Sequence, residues 1–253
     1  GRGPGGECRR GRGGEPAPPH VSPAGPGGKP AAPVPDAPAP LRTADFDFAL
    51  PDDLVAQAPA RPRDAARMLV VRPDGIADAG VRDLPSLLRP GDVMVVNDTR
   101  VIPARLHAHR GTARIEVMLN RSEGGGIWHA LVRNARRLRA GDVITIDGAA
   151  GCSAKVIAAP QDGAVMLDFG PDQAALAAAL DGAGEIPLPP YIARPDGPRA
   201  EDAADYQTIF AERPGAVAAP TASLHFPPAL VDALDARGVR RATVTLHVGA
   251  ATF

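Results

Sequence analysis

Cysteine is scarce in this 253-residue chain: Cys8 and Cys152 stand far apart in unlike contexts. That argues against a disulfide framework or a four-ligand metal site and fits a reducing cytoplasm. Aromatic residues make up only 4% of the sequence, so a base-stacking surface has few candidates. These are Tyr191, Tyr206 and Trp128, the last read more readily as core within IWHALV. No apolar run approaches about 18 residues, so neither a membrane span nor a membrane partner is expected. The N-terminus lacks the apolar centre of a secretory signal. No GxGxxG follows a strand, and neither GxxxxGK[ST] nor HExxH occurs, so a dinucleotide fold, a P-loop and a zincin are unsupported. A strong charge imbalance is also missing. The formal net charge is −1, and nucleic-acid binding would have to rest on local basic patches.

What is present is enough for a real core: 44% of residues are hydrophobic, in a length that suits one large domain or two smaller ones. Residues 1–40 hold 21 prolines and glycines and almost no large apolar side chain. A disordered Pro/Gly-rich tail is therefore expected over 1–44. Its arginines read as solvated, with nucleic-acid contact the less favoured reading. The chain opens on Gly1 rather than methionine, which reads as a cloning remnant or translated upstream sequence.

Order is expected from about Asp45. Phe46, Phe48 and Leu50 alternate as in a strand, and Pro51 then starts a short helix that buries Leu54 and Val55. From Met68 short apolar segments (MLVV, VMVVN, VIPARLHAH, IEVMLN, IWHALV, DVITI, CSAKVIAA, VMLDF) alternate with turn signals such as Asp74-Gly75, Gly124-Gly125-Gly126 and Asp162-Gly163. This predicts a β-barrel or sandwich over 68–169. Asp172 to Leu180 predicts an alanine-rich helix, and the three prolines of GEIPLPPYI predict a rigid extended loop. Pro227 to Arg237 reads as an amphipathic helix with Leu230, Val231 and Leu234 inward, ended by Gly238. Ala242 to Val248 reads as a buried strand.

Two stretches stand out for chemistry. In GAVAAPTASLHF (215–226) a run of small residues lets main-chain groups approach a ligand, with Thr221 and His225 as polar handles. TLHVGAATF (245–253) presents a second histidine, His247, in a similar setting, which suggests one shared site. Either histidine reads equally well as a hydrogen-bonded core residue. Asn97, Asp98, Thr99 and Arg100 follow an apolar strand and either line a cleft or close an Asx turn. Thr221 has the alternative of a simple turn residue, and Glu185 that of a solvated loop carboxylate.

Together NDTRVIPARL (97–106), GEIPLPPYI (184–192), DYQTIFA (205–211), GAVAAPTASLHF and TLHVGAATF resemble, in the same order, the S-adenosylmethionine:tRNA ribosyltransferase-isomerase family of queuosine biosynthesis. The resemblance covers about residues 45–253. It implies an α/β fold, a larger α/β domain (45–67 and 170–253) carrying an inserted all-β barrel (68–169). It also implies that the ribosyl group of S-adenosylmethionine is transferred to 7-aminomethyl-7-deazaguanine at the tRNA wobble position and isomerised. The products are epoxyqueuosine-tRNA, adenine and methionine. The partners are then S-adenosylmethionine, as a consumed substrate rather than a cofactor, and tRNA carrying the deazaguanine precursor; no metal is implied. The family continues beyond Phe253, so the larger domain is expected to be incomplete here.

That reaction needs a general base for an acidified ribose hydrogen and a proton for departing adenine, which puts His225 and His247 in catalytic roles. Asn97, Asp98, Glu185, Thr221 and Tyr206 are the expected substrate-binding residues. Arg100, Arg105, Arg133, Arg136 and Arg137 are the expected tRNA contacts, with a solvated face as the plainer reading of a basic run. Three departures from the family pattern stand out: Ser223 and Ala251 replace glycines, and Pro227-Pro228 replaces a threonine cap. A positive φ at either former glycine would cost on the order of 1 kcal/mol. A non-catalytic RNA-binding β-module is the competing reading, and a fragment that does not fold stably is a third.

Overall fold

A computed structural model describes residues 41–158, 161 and 163–252. Residues 1–40 of the tail expected over 1–44, and Asp162 of one expected turn, lie outside the described residues; Thr43 and Ala44 of that tail fall in a 3-10 turn. The chain divides into two compact units between Ala49 and Leu50. In the first, the described residues form one 3-10 turn, Thr43–Phe46, closed by the Asp45 carboxylate accepting the Arg42 N–H at 2.8 Å. The strand expected from the alternation of Phe46 and Phe48 is not formed, and both side chains are exposed.

The second unit begins with a 3-10 turn, Asp52–Leu54, in place of the expected helix; Leu54 is exposed and Val55 half-buried. Next come β1 (Arg67–Arg72) and β2 (Gly75–Gly80), a hairpin whose strands pair, among the described residues, only with each other. The short α1 (Leu84–Leu87) leads to β3 (Val93–Asn97) and β4 (Thr99–Val101). The barrel follows, with β5 (Arg105–Arg110), β6 (Ala113–Gly124), β7 (Ile127–Arg133), β8 (Val143–Ile146), β9 (Ser153–Val156) and β10 (Ala164–Asp168). It closes in the order β10-β7-β6-β5-β8-β9 with every pair antiparallel.

The barrel therefore starts at Arg105, not at Met68 as the sequence suggested. The reason is visible in the patterning. VMVVN is continuously apolar, as parallel strands tend to be, whereas the segments from Arg105 onward alternate. Leu106 and Ala108, then Ile115, Val117 and Leu119, then Trp128, Ala130 and Val132 point inward from successive strands and are buried. Trp128 is thus core. Closure leaves no free edge among these strands. At Gly126, φ is +89° and a Cβ would stand 1.8 Å from the Gly170 carbonyl oxygen, so only glycine fits where β7 begins.

Past the barrel, α2 (Gln173–Ala183) is capped by the Asp172 carboxylate, which accepts the Ala174 N–H at 2.9 Å. Leu176 and Ala179 on its inner face join the barrel's apolar cluster. The prolines of 184–192 keep that segment out of any helix or strand, as expected. After α3 (Asp202–Asp205), β11 (Arg213–Ala216) pairs parallel with β4. Helix α4 (Pro228–Ala236) buries Leu230, Val231 and Leu234, has no side-chain N-cap, and is followed by Gly238 at φ +83°. The last strand, β12 (Arg240–Val244), pairs parallel with β3.

β12 was expected to be buried, yet all five of its residues are exposed. Among the described residues it has one neighbouring strand, and Val93 and Val95 of that neighbour are also exposed. The two departures at former glycine positions cost nothing in backbone strain: among the described residues Asn134 is the only non-glycine with positive φ, so neither Ser223 nor Ala251 is left-handed.

Candidate active site

The core of the site is a clasp in which three consecutive residues, from the last of β3 to the first of β4, hold three consecutive residues after β12. Asn97 Nδ2 donates to the Leu246 carbonyl at 2.8 Å, and Asn97 Oδ1 accepts the Leu246 N–H at 3.0 Å. The hydroxyl of Thr245 donates to the buried Asp98 carboxylate at 2.6 Å. Thr99 Oγ1 lies 2.7 Å from His247 Nδ1. Asn97 Oδ1 also accepts the Thr99 N–H at 3.1 Å, so the Asx-turn reading of this cluster holds. Asn97 and Asp98 serve the chain itself, Asp98 with Arg213 at 3.4 Å as a further partner.

The small residues of 215–219 pack against the same clasp. Ala216, Val217, Ala218 and Ala219 are buried, and the N–H groups of Val217 and Ala218 donate to the Val248 carbonyl at 2.9 and 3.2 Å. Close approach is thus to the protein's own histidine segment. A Cβ at Gly215 would stand 2.7 Å from His247 Cε1, which makes this glycine the seat of the imidazole.

His225 lies elsewhere. It ends the 3-10 turn Thr221–His225, is exposed, and its side chain makes no hydrogen bond among the described residues. With Thr221, Leu224, Tyr191 and Tyr206 it lines a cavity of about 240 Å³. His247 does not line that cavity, so the two histidines, expected together, occupy adjoining segments rather than one pocket. A second cavity of about 480 Å³ is lined by Glu185, Arg105 and Arg133. The two share a wall made of Leu188, Ile192, Arg194 and Asp202.

That wall is fixed by a buried ion pair. Arg194 Nη2 donates to Asp202 Oδ1 at 2.7 Å, with Nε bonding both carboxylate oxygens at 3.0–3.1 Å. The Arg194 hydrogen bond holds the Asp202 carboxyl below its ordinary range, and Asp202 in turn raises the guanidinium. Tyr206 is buried, and burial pushes its phenol above the ordinary value against a backbone hydrogen bond at Ala219. It packs with Val101 and Ala219 and presents no free face for an RNA base, whereas Tyr191 is exposed.

Glu185 is tied down: its backbone bridges that of Arg105, and its carboxylate is 3.3 Å from His107 Nε2. Arg105 and Arg133 flank Glu116 at 3.8 and 3.6 Å. Arg100, Arg136 and Arg137 are exposed. Sequence reasoning assigned no individual role to Thr99, Gly215 or Gln207. The last accepts the Val101 N–H and donates to its carbonyl, both at 3.1 Å, like a neighbouring strand. The signal available for Thr99 was the polar triplet NDT at the end of the apolar run VMVV.

Fold and site together define an α/β protein with an inserted antiparallel barrel and a histidine-bearing clasp on a parallel strand pair. Over residues 43–253 the chain matches the family described as queuosine biosynthesis protein, and it belongs to that family. It is 59% identical over 210 residues to an S-adenosylmethionine:tRNA ribosyltransferase-isomerase from Gluconacetobacter diazotrophicus, covering 83% of this chain and 59% of the relative. A relative of the same name from Acidiphilium cryptum is 55% identical over 213 residues, covering 84% of this chain and 62% of the relative. The solved S-adenosylmethionine tRNA ribosyltransferase of Thermotoga maritima is 32% identical, covering 81% of this chain and 58% of that one; with a TM-score of 0.33 the likeness lies in sequence. The chain thus spans about three-fifths of the length of the curated relatives it matches.

Proposed function

We propose that the polypeptide works as an S-adenosylmethionine:tRNA ribosyltransferase-isomerase. It transfers and isomerises the ribosyl moiety of S-adenosylmethionine onto 7-aminomethyl-7-deazaguanine at the tRNA wobble position, and adenine and methionine are released. The observation that carries this reading is the convergence of three separate motif segments on one small cavity. Leu188 and Tyr191 come from GEIPLPPYI, Asp205 and Tyr206 from DYQTIFA, and Thr221, Leu224 and His225 from the small-residue stretch. A mostly apolar pocket with a few polar groups suits a flat nucleoside.

On this reading the small cavity takes the nucleoside, and the adjoining larger one, rimmed by Arg105 and Arg133, takes the modified nucleotide of the tRNA. Glu185 faces the larger space and offers a carboxylate to the sulfonium. The sulfonium acidifies the ribose 5′ hydrogens; one is removed by a base as adenine leaves. His225, exposed and unbonded, is suited to act as that base, with Thr221 and Tyr206 shaping the pocket. His247 serves from the neighbouring clasp. Exposed Arg100, Arg136 and Arg137 hold tRNA phosphates, and a cytoplasmic setting fits a tRNA substrate.

The test is release of adenine from S-adenosylmethionine in the presence of precursor tRNA, measured for this chain and for a version extended past Phe253 to the relatives' length. Adenine release by the extended version, strongly reduced by His225→Ala, supports the reading. An extended version that binds tRNA but releases no adenine overturns it.

A further inference from the structure

The clasp leaves open which nitrogen of His247 carries the proton, and the surroundings of Thr99 decide it. Thr99 is fully buried, and its N–H is already bonded to Asn97 Oδ1. Among the described residues the only group within hydrogen-bond distance of its hydroxyl is His247 Nδ1, at 2.7 Å. If Nδ1–H donated to Oγ1, the threonine hydroxyl proton would be left in the interior without an acceptor, an arrangement folded proteins avoid. If instead the hydroxyl donates to a bare Nδ1, both groups are satisfied and the ring proton resides on Nε2.

We propose that Thr99 is a positioning residue that fixes His247 in its Nε2–H tautomer, so that the ring nitrogen turned away from Thr99 is a hydrogen-bond donor and not a base. Among the described residues, carboxylates pair with His107 and His109 but none with His247. Asp98, the residue before Thr99, is engaged by the Thr245 hydroxyl and Arg213. The imidazole packs against Gly215, and the backbone of the preceding Leu246 is held by Asn97, which keeps Nδ1 beside Thr99.

The chemical consequence is a division of labour. Nε2–H suits a lone pair on a heterocyclic nitrogen or an oxygen, and no proton needs to leave the imidazole for it to stabilise charge that builds there. The base role then falls to His225, whose nitrogens are both free of hydrogen bonds among the described residues. This division rests on the function proposed above, but the tautomer itself does not.

Long-range 1H–15N correlation spectra of the 15N-labelled protein at neutral pH test it, with the His247 signals assigned by their loss in His247→Gln. The expected spectrum shows a bare Nδ1 and a protonated Nε2 for His247, retained in Thr99→Ser and replaced by an averaged pattern in Thr99→Val. A protonated Nδ1, or averaging already in the unaltered protein, overturns the proposal. Should Thr99→Val not fold, the spectra of the unaltered protein and of Thr99→Ser still decide between the tautomers. Because no substrate is present, a wrong tautomer leaves the ribosyl-transfer reading standing, and a failed adenine-release assay leaves the tautomer standing.

Discussion

The imidazole of His247 occupies the space that a side chain at Gly215 would need: a Cβ there would stand 2.7 Å from Cε1, 2.8 Å from Nε2 and 2.9 Å from Nδ1. Gly215 also sits at φ +149°, a region that other residues rarely adopt. Gly215→Ala is therefore expected to cost about 2 kcal/mol or more in stability. It should also expel the ring from its seat. Thermal unfolding and the His247 NMR signals together check this; an unshifted spectrum would contradict the close packing.

Asn97 gives Leu246 the pair of backbone bonds a neighbouring strand would give, at 2.8 and 3.0 Å. Asn97→Ala removes both; because Leu246 is exposed and water can take their place, the expected loss is about 1 kcal/mol. Asn97→Asp keeps the acceptor but not the donor and should fall between the two in denaturant titration.

The His225 side chain makes no hydrogen bond among the described residues, so its replacement should barely disturb folding. His225→Gln is expected to lie within about 0.5 kcal/mol of the parent in stability. Adenine release by the extended version should nonetheless drop by roughly 100-fold or more. A variant that kept its rate would take His225 out of the proposed chemistry.

The Arg194–Asp202 pair carries a definite pH signature. Pairing lowers the Asp202 carboxyl in the folded state, so its stabilisation is present above the ordinary carboxylate range and is lost as pH falls through the depressed value. Asp202→Asn leaves the half-buried Arg194 with only the charge of Asp205 nearby, a cost of about 1–2 kcal/mol at neutral pH. The variant should also lose less stability than the parent on acidification below about pH 4. Parallel acid and neutral melts measure both effects.

Arg136 and Arg137 are exposed in one 3-10 turn after β7 and form no ion pair among the described residues. If they hold RNA phosphates, replacing both with alanine lowers the dependence of log Kd on log salt by about 2. A filter-binding series in increasing salt reads that slope, and an unchanged slope assigns these arginines to a solvated face.

Much of the architecture was legible in the sequence because the relevant signals are local. Alternating apolar residues from Arg105 onward, Asp172 as a cap, Pro228 and Gly238 bracketing α4, and the prolines of 184–192 each constrain the backbone within a few residues. The error at Met68 has the same origin. β1, β3 and the barrel strands all read as strands, but the sequence does not say which partner each will take.

By itself, then, the amino-acid sequence determined the strands, the helices, the proline-stiffened loop and the motifs of the queuosine biosynthesis protein family, since dihedral preference and side-chain period act over short range. Tertiary structure decided what no local signal encodes. It set the parallel pairing of β3 with β12, and thereby brought Asn97, Asp98 and Thr99 to Leu246, Thr245 and His247 across almost 150 residues of chain. It also left His225 in a separate cavity beside Tyr206. Hydrogen bonds and ring packing between distant segments fix those positions, and they exist only once the sheet has aligned the two strand ends.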